Sequence, residues 1–448
     1  MTTNIKDMTS GSPAKHILVF ALPIMIGNIL QQMYTIVDTI VVGRVIGVKA
    51  LAAVGSADWL NWLVLGTIIG FCHGFSIMIA QRFGAADYVE MRKAVAMSIL
   101  LSAFVAILFT ILFLPLARIL LVILNTPTDI IEDSLKFLNI MFSGIVVITG
   151  YNILSSILRA LGNSKTPLVA MGIASVINII LDFIFVLLFR WGVSGAAAAT
   201  VSAQLFSCLY CMKALNNIDL LKTSRKDWIP DKKIILELIK IGTPMAFQNA
   251  IIGIGGVVVQ SVINGFGVIF VAGFTAAMKL YGLLELAATS FGFAVASFTG
   301  QNHGSKKFER IRTGINSALK MSISVALVIS TITLLLGRQI VRLFVSGSPS
   351  DVKTVVDIAY NYLAIMSILL FVLYMLYIYR SALQGMGDTL IPMISGFVEL
   401  LMRVGIVLLL PLLLGRNGVY FAEVIAWVGA EIILMITYYY RMNNLNES

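Results

Sequence analysis

The residue with the most evident chemistry is Asp38, a carboxylate inside the apolar stretch LPIMIGNILQQMYTIVDTIVVGRVIG at residues 22–47. An aspartate at the centre of a membrane helix costs roughly 2.5–3.5 kcal/mol, so such a group usually faces a protein interior or a wet cavity. If this stretch forms one helix, Asn28, Gln31 and Thr35 share a face with Asp38. The spacing predicts a polar stripe that binds an ion or substrate, or that forms hydrogen bonds to neighbouring helices.

A second acidic position follows in a later apolar stretch, where Asn178 and Asp182 are one helical turn apart. The next stretch is rich in small residues and contains Thr200. Two carboxylates in a low-dielectric interior can share a proton, because the charge of one disfavours ionisation of the other. Carboxylate, amide and hydroxyl oxygens are also suitable ligands for Na+, a hard cation. The pattern therefore predicts a site for H+ or Na+ at Asp38, Asn178, Asp182 and Thr200.

These polar residues belong to a chain with the composition of an integral membrane protein. Of its 448 residues, 59% are apolar and only 12% are charged, against about 25% charged residues in soluble domains. Runs of about 20 or more apolar residues are long enough to cross a bilayer. The first run lacks a small-residue cleavage site, so we interpret it as a retained helix. Twelve runs predict an all-α polytopic fold with twelve transmembrane helices, at residues 17–43, 51–79, 94–116, 134–158, 167–189, 193–212, 234–263, 268–298, 315–336, 356–383, 391–414 and 418–440.

The second half of the chain repeats features of the first. At a shift of 220 residues AQRFGAADYVEMRKA aligns with GQNHGSKKFERIRTG, at 221 Pro23 aligns with Pro244, and at 225 LRALGNSKTP aligns with LQGMGDTLIP. Each half holds six spans, so both halves enter the membrane from the same side, which predicts a parallel repeat of the kind found in secondary transporters. The predicted parts are a six-helix bundle at 1–212, a basic cytoplasmic linker at 213–233 and a second six-helix bundle at 234–448.

The two halves differ in their ionisable residues. At the shift of 221, Val259 aligns with the first-half acid, so the second half lacks a counterpart of it. Glu285 is predicted either to pair with Lys279 or to line a cavity. Glu399 and Arg403 are four residues apart on one predicted helix and are expected to neutralise each other. The ionisable residues within the second-half spans eight, eleven and twelve are Lys279, Glu285, Glu399, Arg403 and Glu431.

The formal net charge of +10 is interpreted as a signal of membrane orientation. With a cytoplasmic N-terminus, the tails and even-numbered loops hold 18 Lys and Arg residues, more than the odd-numbered loops, as the positive-inside rule requires. Many of these basic side chains then face anionic lipid head groups. We expect both termini in the cytoplasm, with the lipid bilayer as a partner and no role for nucleic acid.

Motifs of other chemistries are missing from the sequence. It contains no G-x-x-x-x-G-K-[ST], no G-x-S-x-G and no H-E-x-x-H. Its three histidines are too scattered to predict a metal site. We therefore expect a protein that is not an enzyme, has no cofactor, and draws on an ion gradient or a partner for active transport.

An ordered set of segments resembles the multidrug and toxic compound extrusion (MATE) family of cation-coupled antiporters over essentially the whole chain. The segments are LPIMIGNILQQMYTIVDTIVVG, AQRFGA, LRALGNSKTP, GQNHGS and LQGMGDTLIP. The resemblance implies two six-helix bundles in a V around a central cavity, and a cation site in the first bundle at Asp38, Asn178, Asp182 and Thr200. Some family members have acids in spans seven and ten, whereas this chain has only Glu237 and Asp357 at the edges of those spans.

The resemblance also implies substrates and a mechanism. We expect export of small organic cations or drugs in exchange for Na+ or H+ by alternating access, by a monomer in the bacterial inner membrane. Pro23 removes a backbone donor from the first helix and is the predicted hinge. The alternatives are a flippase for a lipid-linked precursor, which would need a cationic cavity, and a non-transporting receptor or scaffold. Supporting or cavity-lining roles are predicted for Gln31, Tyr34, Asn152 and Glu285.

Overall fold

The computed structural model of the chain describes residues 5–124, 126–343 and 349–446. Within these ranges the α-helices are α1 (Pro13–Val41), α2 (Val48–Gly84), α3 (Tyr88–Ile123), α4 (Ile131–Ser143), α5 (Ile145–Ala160), α6 (Lys165–Asp182), α7 (Val193–Asn216), α8 (Lys232–Asn264), α9 (Val268–Gly304), α10 (Phe308–Arg342), α11 (Pro349–Ile368), α12 (Leu370–Gly385), α13 (Leu390–Leu414) and α14 (Ala422–Asn446). Two π-helices, Val42–Ile46 and Phe183–Leu188, continue α1 and α6. Short 3₁₀ segments lie in the connections, at Asp219–Leu221, Arg225–Trp228 and Gly415–Phe421.

The helices of the described ranges account for the twelve predicted spans. Nine helical segments are long and apolar enough to cross a membrane, and eleven when each of the bent pairs α4–α5 and α11–α12 counts as one crossing. One segment, Leu390–Leu445, contains both α13 and α14. These two helices pack against each other and supply two crossings. The predicted all-α polytopic fold is confirmed.

The outward faces of the helices carry the apolar side chains that a bilayer requires. On α3, Phe104, Ile107 and Ile111 are three and four residues apart and are 63%, 51% and 67% exposed. Such a continuous stripe is unfavourable in water, whereas lipid tails solvate it as well as a protein core does. On the same helix Ala94 and Ala106 are fully buried, so small residues mark the face that packs against protein.

The chain packs as two compact units. The N unit comprises Met1–Met8 and Leu22–Ala250, and the C unit comprises Thr9–Ala21 and Ile251–Ser448. The division therefore falls inside α1, just before Pro23, and inside α8. The domain boundaries predicted from the sequence divide the chain between whole helices. The grouping by packing assigns the first turns of α1 to the C unit and the first part of α8 to the N unit.

The backbone confirms the predicted internal repeat. Residues with positive φ, a conformation that glycine adopts readily and other residues rarely, occupy matching positions in the two halves. The pairs are separated by 220, 220 and 225 residues, which are shifts at which the sequence blocks align. They are Gly47 with Gly267 (φ 118° and 90°), Ala86 with Lys306 (56° and 58°), and Gly162 with Gly387 (77° and 90°).

Two spans are broken near their middle, where the sequence pattern predicts continuous helices. The fourth span bends by 49° between α4 and α5, and the tenth by 53° between α11 and α12. A break frees carbonyl groups that hydrocarbon cannot satisfy. In the fourth span Thr110 of α3 donates a hydrogen bond to the Phe142 carbonyl at 3.3 Å, and in the tenth Ser330 of α10 donates to the Ser367 carbonyl at 2.6 Å. Thr110 and Ser330 are 220 residues apart, so both halves satisfy the break in the same way.

The G-x-x-x-G spacing of α2 permits a close helix contact inside the N unit. A Cβ atom added at Gly70 would come within 2.7 Å of the Ala246 Cα atom, and one at Gly74 within 2.5 Å of the Gly242 Cα atom. Both neighbours are on α8. At Gly66, the first glycine of the motif, an added Cβ would make only ordinary van der Waals contact, at 3.8 Å. The backbones of α2 and α8 therefore approach most closely at the second and third glycines.

Gly74→Ala is therefore expected to destabilise the protein by about 1–3 kcal/mol, the usual cost of overpacking a close contact. Gly66→Ala is the matched control, and it should be neutral or slightly stabilising because alanine favours a helix over glycine by about 1 kcal/mol. Thermal unfolding of the two variants in the same detergent measures the difference. Equal unfolding temperatures would contradict the assigned contact.

Candidate functional site

Three helices of the N unit bring the four predicted cation-binding residues together. Asp38 is on α1, Asn178 and Asp182 are on the last two turns of α6, and Thr200 is on α7. Asn178 and Asp182 are 1% and 0% exposed, as expected for residues one turn apart on a buried helix face. Asp38 is partly buried.

The two carboxyl groups face each other. The side chains of Asp38 and Asp182 are close enough to interact electrostatically with one another. Two ionised carboxylates repel strongly at such a separation, and desolvation adds to the cost of both charges. The pair is therefore stable when one proton is shared between the groups or when a cation lies against them.

Five buried oxygen atoms at these helices receive no hydrogen bond within the part of the chain that the structure describes. Buried polar groups are almost always hydrogen-bonded, and an unmet one costs about 1–3 kcal/mol. A cluster of acceptors without donors is an arrangement that a proton or a small cation completes. The atoms are Asp38 Oδ1, Asn178 Oδ1, Asp182 Oδ1 and Oδ2, and Gln204 Oε1.

The neutral members of the cluster are oriented by hydrogen bonds between α6 and α7. Asn178 Nδ2 donates to Thr200 Oγ1 at 3.5 Å, and Thr200 Oγ1 donates to the Ala196 carbonyl at 3.1 Å. The amide nitrogen of Asn178 is thereby used. Its oxygen is the end that stays without a donor.

Two of the predicted supporting residues lie on α1 beside the acids. Tyr34 is buried, 9% exposed, and its hydroxyl interacts electrostatically with Asp38 and with the side chains of Gln31 and Gln204. Gln204 of α7 is not among the site residues predicted from the sequence. The signal that could have found it is its position one turn after Thr200 on the same helix.

The other two supporting residues lie elsewhere. Asn152 donates to the Ile148 carbonyl of its own helix at 2.8 Å, and none of its described contacts joins it to the acids. Glu285 belongs to the C unit, where its carboxylate accepts a hydrogen bond from the Tyr377 hydroxyl. Lys279, the partner that the sequence left open, has an exposed side chain, and no ion pair between it and Glu285 is present among the described residues.

Both acid-bearing helices change their winding directly after the acids. Helix α6 ends at Asp182, where the π-helix Phe183–Leu188 begins, and the π-helix Val42–Ile46 follows the last turn of α1. The two π-helices pack together. Wider π turns occur preferentially at functional sites, where they shift the register of side chains. The sequence carries no signal for them, since the hydrophobic run continues unchanged.

A family model described as MatE matches residues 23–184 and matches again at residues 244–409. The two matches start at Pro23 and Pro244, the residues that the internal repeat aligns. The chain belongs to the MatE family. This MatE protein is a multi-pass helical membrane transporter, which agrees with the spans and the repeat described above.

Two relatives and one solved structure show how far the similarity extends. The probable multidrug resistance protein YpnP of Bacillus subtilis is 31% identical over 340 residues, which is 76% of each chain. The probable multidrug resistance protein NorM of Thermotoga maritima is 26% identical over 437 residues. The match covers 94% of the present chain and 90% of NorM. A crystal structure of MATE in complex with MaL6 matches with a TM-score of 0.92 at 24% identity and covers 100% of both chains. The last likeness shows that the fold is shared.

Proposed function

We propose that this MatE protein exports organic cations and drugs in exchange for H+ or Na+ by alternating access. The observation that carries the proposal is the cluster of five buried acceptor oxygens around Asp38 and Asp182. Carboxylate and amide oxygens that lack donors attract a cation and repel an anion. The names of the relatives, which are multidrug resistance proteins, support drug-like compounds as the exported substrates.

Both candidate coupling ions fit the residues present. A proton can be shared between Asp38 and Asp182, whose carboxyl groups interact electrostatically with each other. Na+ can take the same carboxylates together with Asn178 Oδ1, which has no donor in the described part of the chain. Thr200 Oγ1 accepts one hydrogen bond and donates another, which leaves one lone pair for an ion. No other cofactor is proposed.

The coupling requires that the ion binds one state of the transporter better than the other. Asp38 and Tyr34 are on α1, so the charge state of the acids acts directly on this helix. The division between the two packing units falls in the same helix, immediately before Pro23. We propose Pro23 as the hinge of α1, since a proline removes one helical hydrogen bond and lowers the cost of bending there.

We further propose that the protein acts as a monomer in the bacterial inner membrane with both termini in the cytoplasm. The distribution of Lys and Arg between the loops supports this orientation. The basic connection between α7 and α8 would then lie on the cytoplasmic side, against anionic lipid head groups.

The test is ethidium flux in proteoliposomes under a Na+ gradient alone and, separately, under a pH gradient alone. We expect one of the two gradients to drive ethidium against its own concentration gradient, and dissipating that gradient to stop the net flux. An anionic dye of similar size is the control and should not move. An ethidium distribution that responds to neither gradient would refute the proposal.

A further inference from the structure

A second set of buried charges lies in the C unit. Two arginines and two glutamates form a chain of ion pairs there, with distances of 2.9 Å for Arg380–Glu399, 2.8 Å for Arg403–Glu399 and 2.8 Å for Arg403–Glu423. The predicted pairing of Glu399 with Arg403 is confirmed, and the structure extends it at both ends. All four side chains are at most 10% exposed. Because the bases and acids are equal in number, this chain of ion pairs is neutral.

The C unit contains two further glutamates that are not part of this neutral chain of ion pairs. The first of them is Glu285 on α9. Its carboxylate accepts a hydrogen bond from Tyr377 on α12, and the residue is partly exposed. A donor and contact with solvent both reduce the cost of a charge. Glu285 thus has a hydrogen-bond donor and partial contact with solvent.

The second acid in excess, Glu431 on α14, has neither of these. It is 6% exposed, and both of its carboxylate oxygens are buried without a hydrogen bond from any described residue. The cation that acts on it is Arg380. Arg380 Nη2 already donates to Glu399, whereas Arg380 Nε is buried with no hydrogen-bond partner among the described residues. The unused acceptors of Glu431 and the unused donor of Arg380 thus lie on α14 and α12, two helices that pack against each other.

The other titratable groups around Glu431 do not supply a second charge partner. Glu399 of α13 reaches this region only through Arg380. Arg312 of α10 acts on Tyr438, two turns along α14. The phenol that interacts with Glu431 is Tyr379 on α12, and its ring contacts those of Tyr438 and Tyr439 on α14.

We propose that Glu431 is a proton-binding group, and that Arg380 changes its hydrogen bonds when the proton leaves. With the proton bound, Glu431 is neutral and the chain of ion pairs stays balanced. When the carboxyl group releases its proton to water, a negative charge is left in a low-dielectric interior, where only a charged hydrogen bond makes it tolerable. Arg380 Nε is the available donor.

The ligand is a proton because the surroundings exclude larger cations. A carboxylate that is 6% exposed is closed to an organic cation, and the Arg380 guanidinium disfavours a metal ion beside the same group. A shift of Arg380 towards Glu431 would also loosen its bond to Glu399, so protonation links α12, α13 and α14. The proposal depends neither on the exported substrate nor on Asp38.

Infrared difference spectroscopy of the full-length protein in lipid, from neutral to alkaline pH, tests this proposal. The background is Asp38→Asn/Asp182→Asn, which removes the other pair of acids proposed to hold a proton. We expect a carboxylic-acid C=O band that is lost on alkalinisation, and we expect Glu431→Gln to lack it. Glu423→Gln, which replaces a paired glutamate of the same helix, should retain the band. An unchanged band in Glu431→Gln would overturn the proposal.

Stability gives a second readout that needs no transport. Glutamine reproduces the shape and neutrality of a protonated glutamate, so Glu431→Gln should fold and should keep or raise the unfolding temperature near neutral pH. A lowered unfolding temperature, or failure to fold, would show that Glu431 is an ionised partner of Arg380, and the proposal would be wrong. Loss of transport in the Asp38 and Asp182 variants has no bearing on either readout.

Discussion

Replacing Asp38 by asparagine should reduce ion-driven efflux to the passive rate, a loss of roughly 5- to 150-fold if the coupling free energy has its usual size of about 1–3 kcal/mol. Asparagine keeps the volume of the side chain but can neither share a proton with Asp182 nor carry a charge towards Na+. Without the charge, the ion loses its preference for one state of the transporter. Ethidium uptake into everted vesicles, where an exporter transports its substrate inwards, measures the effect before and after the ion gradient is imposed.

The control for this prediction is Thr39→Val, one residue further along α1. The Thr39 hydroxyl donates to the Thr35 carbonyl of its own helix at 2.8 Å, so its removal should leave the driven flux close to wild type. Asp182→Asn should match Asp38→Asn, and the double variant should be no worse than either single one, because the two acids act as one site. Unchanged ion-driven transport in Asp38→Asn would contradict the proposed coupling.

Replacing Arg403 by methionine should lower the free energy of unfolding by about 3–5 kcal/mol, because breaking a buried ion pair leaves an uncompensated charge. Arg403 contacts both Glu399 and Glu423 at 2.8 Å. Glu399 would keep Arg380, whereas Glu423 would lose the cation that it contacts. Reversible unfolding in mixed micelles measures the change.

The matched control is Lys136→Met, which removes a basic residue from an exposed pair. Lys136 and Asp133 are 3.0 Å apart with side chains 61% and 43% exposed, and such surface pairs contribute at most about 1 kcal/mol. Adding Glu423→Gln to Arg403→Met should recover part of the lost stability, since it removes the uncompensated charge. Equal losses in Arg403→Met and Lys136→Met would argue against a buried network.

Much of the fold could be predicted because the local composition of a segment determines whether it inserts into the membrane. A helix must satisfy all its backbone groups internally and must be about 20 apolar residues long to span the bilayer. The twelve spans follow from that constraint alone. The repeat could be recognised in the sequence because glycines and prolines mark turns. Gly47 and Gly267 are examples, since their positive φ is a conformation that favours glycine.

The acids of the N unit could be recognised for the same reason, since a charge in an apolar run is rare and costly. The spacing of Asn178 and Asp182 fixed their common face on α6. The residue types predicted that Asp38 and Asp182 share a site, but their approach depends on where the tertiary structure places α1. Gln204 shows the limit of prediction from sequence, because a lone glutamine in a membrane span is equally consistent with a packing role.

By itself, the sequence determined what each segment must do in the membrane: which runs cross it, where the chain turns, and which polar residues are too costly to face lipid. The tertiary structure alone decided which of those residues meet. Arg380 pairs with Glu399, 19 residues away in the chain, and Glu423 pairs with Arg403, 20 residues away, and each of these pairs joins two different helices. The broken spans and the π-helices were likewise decided by neighbours, such as Thr110 at the Phe142 carbonyl. The physical reason is that the bilayer selects helices one at a time, whereas pairing of buried charges and freed carbonyl groups requires a partner on another helix.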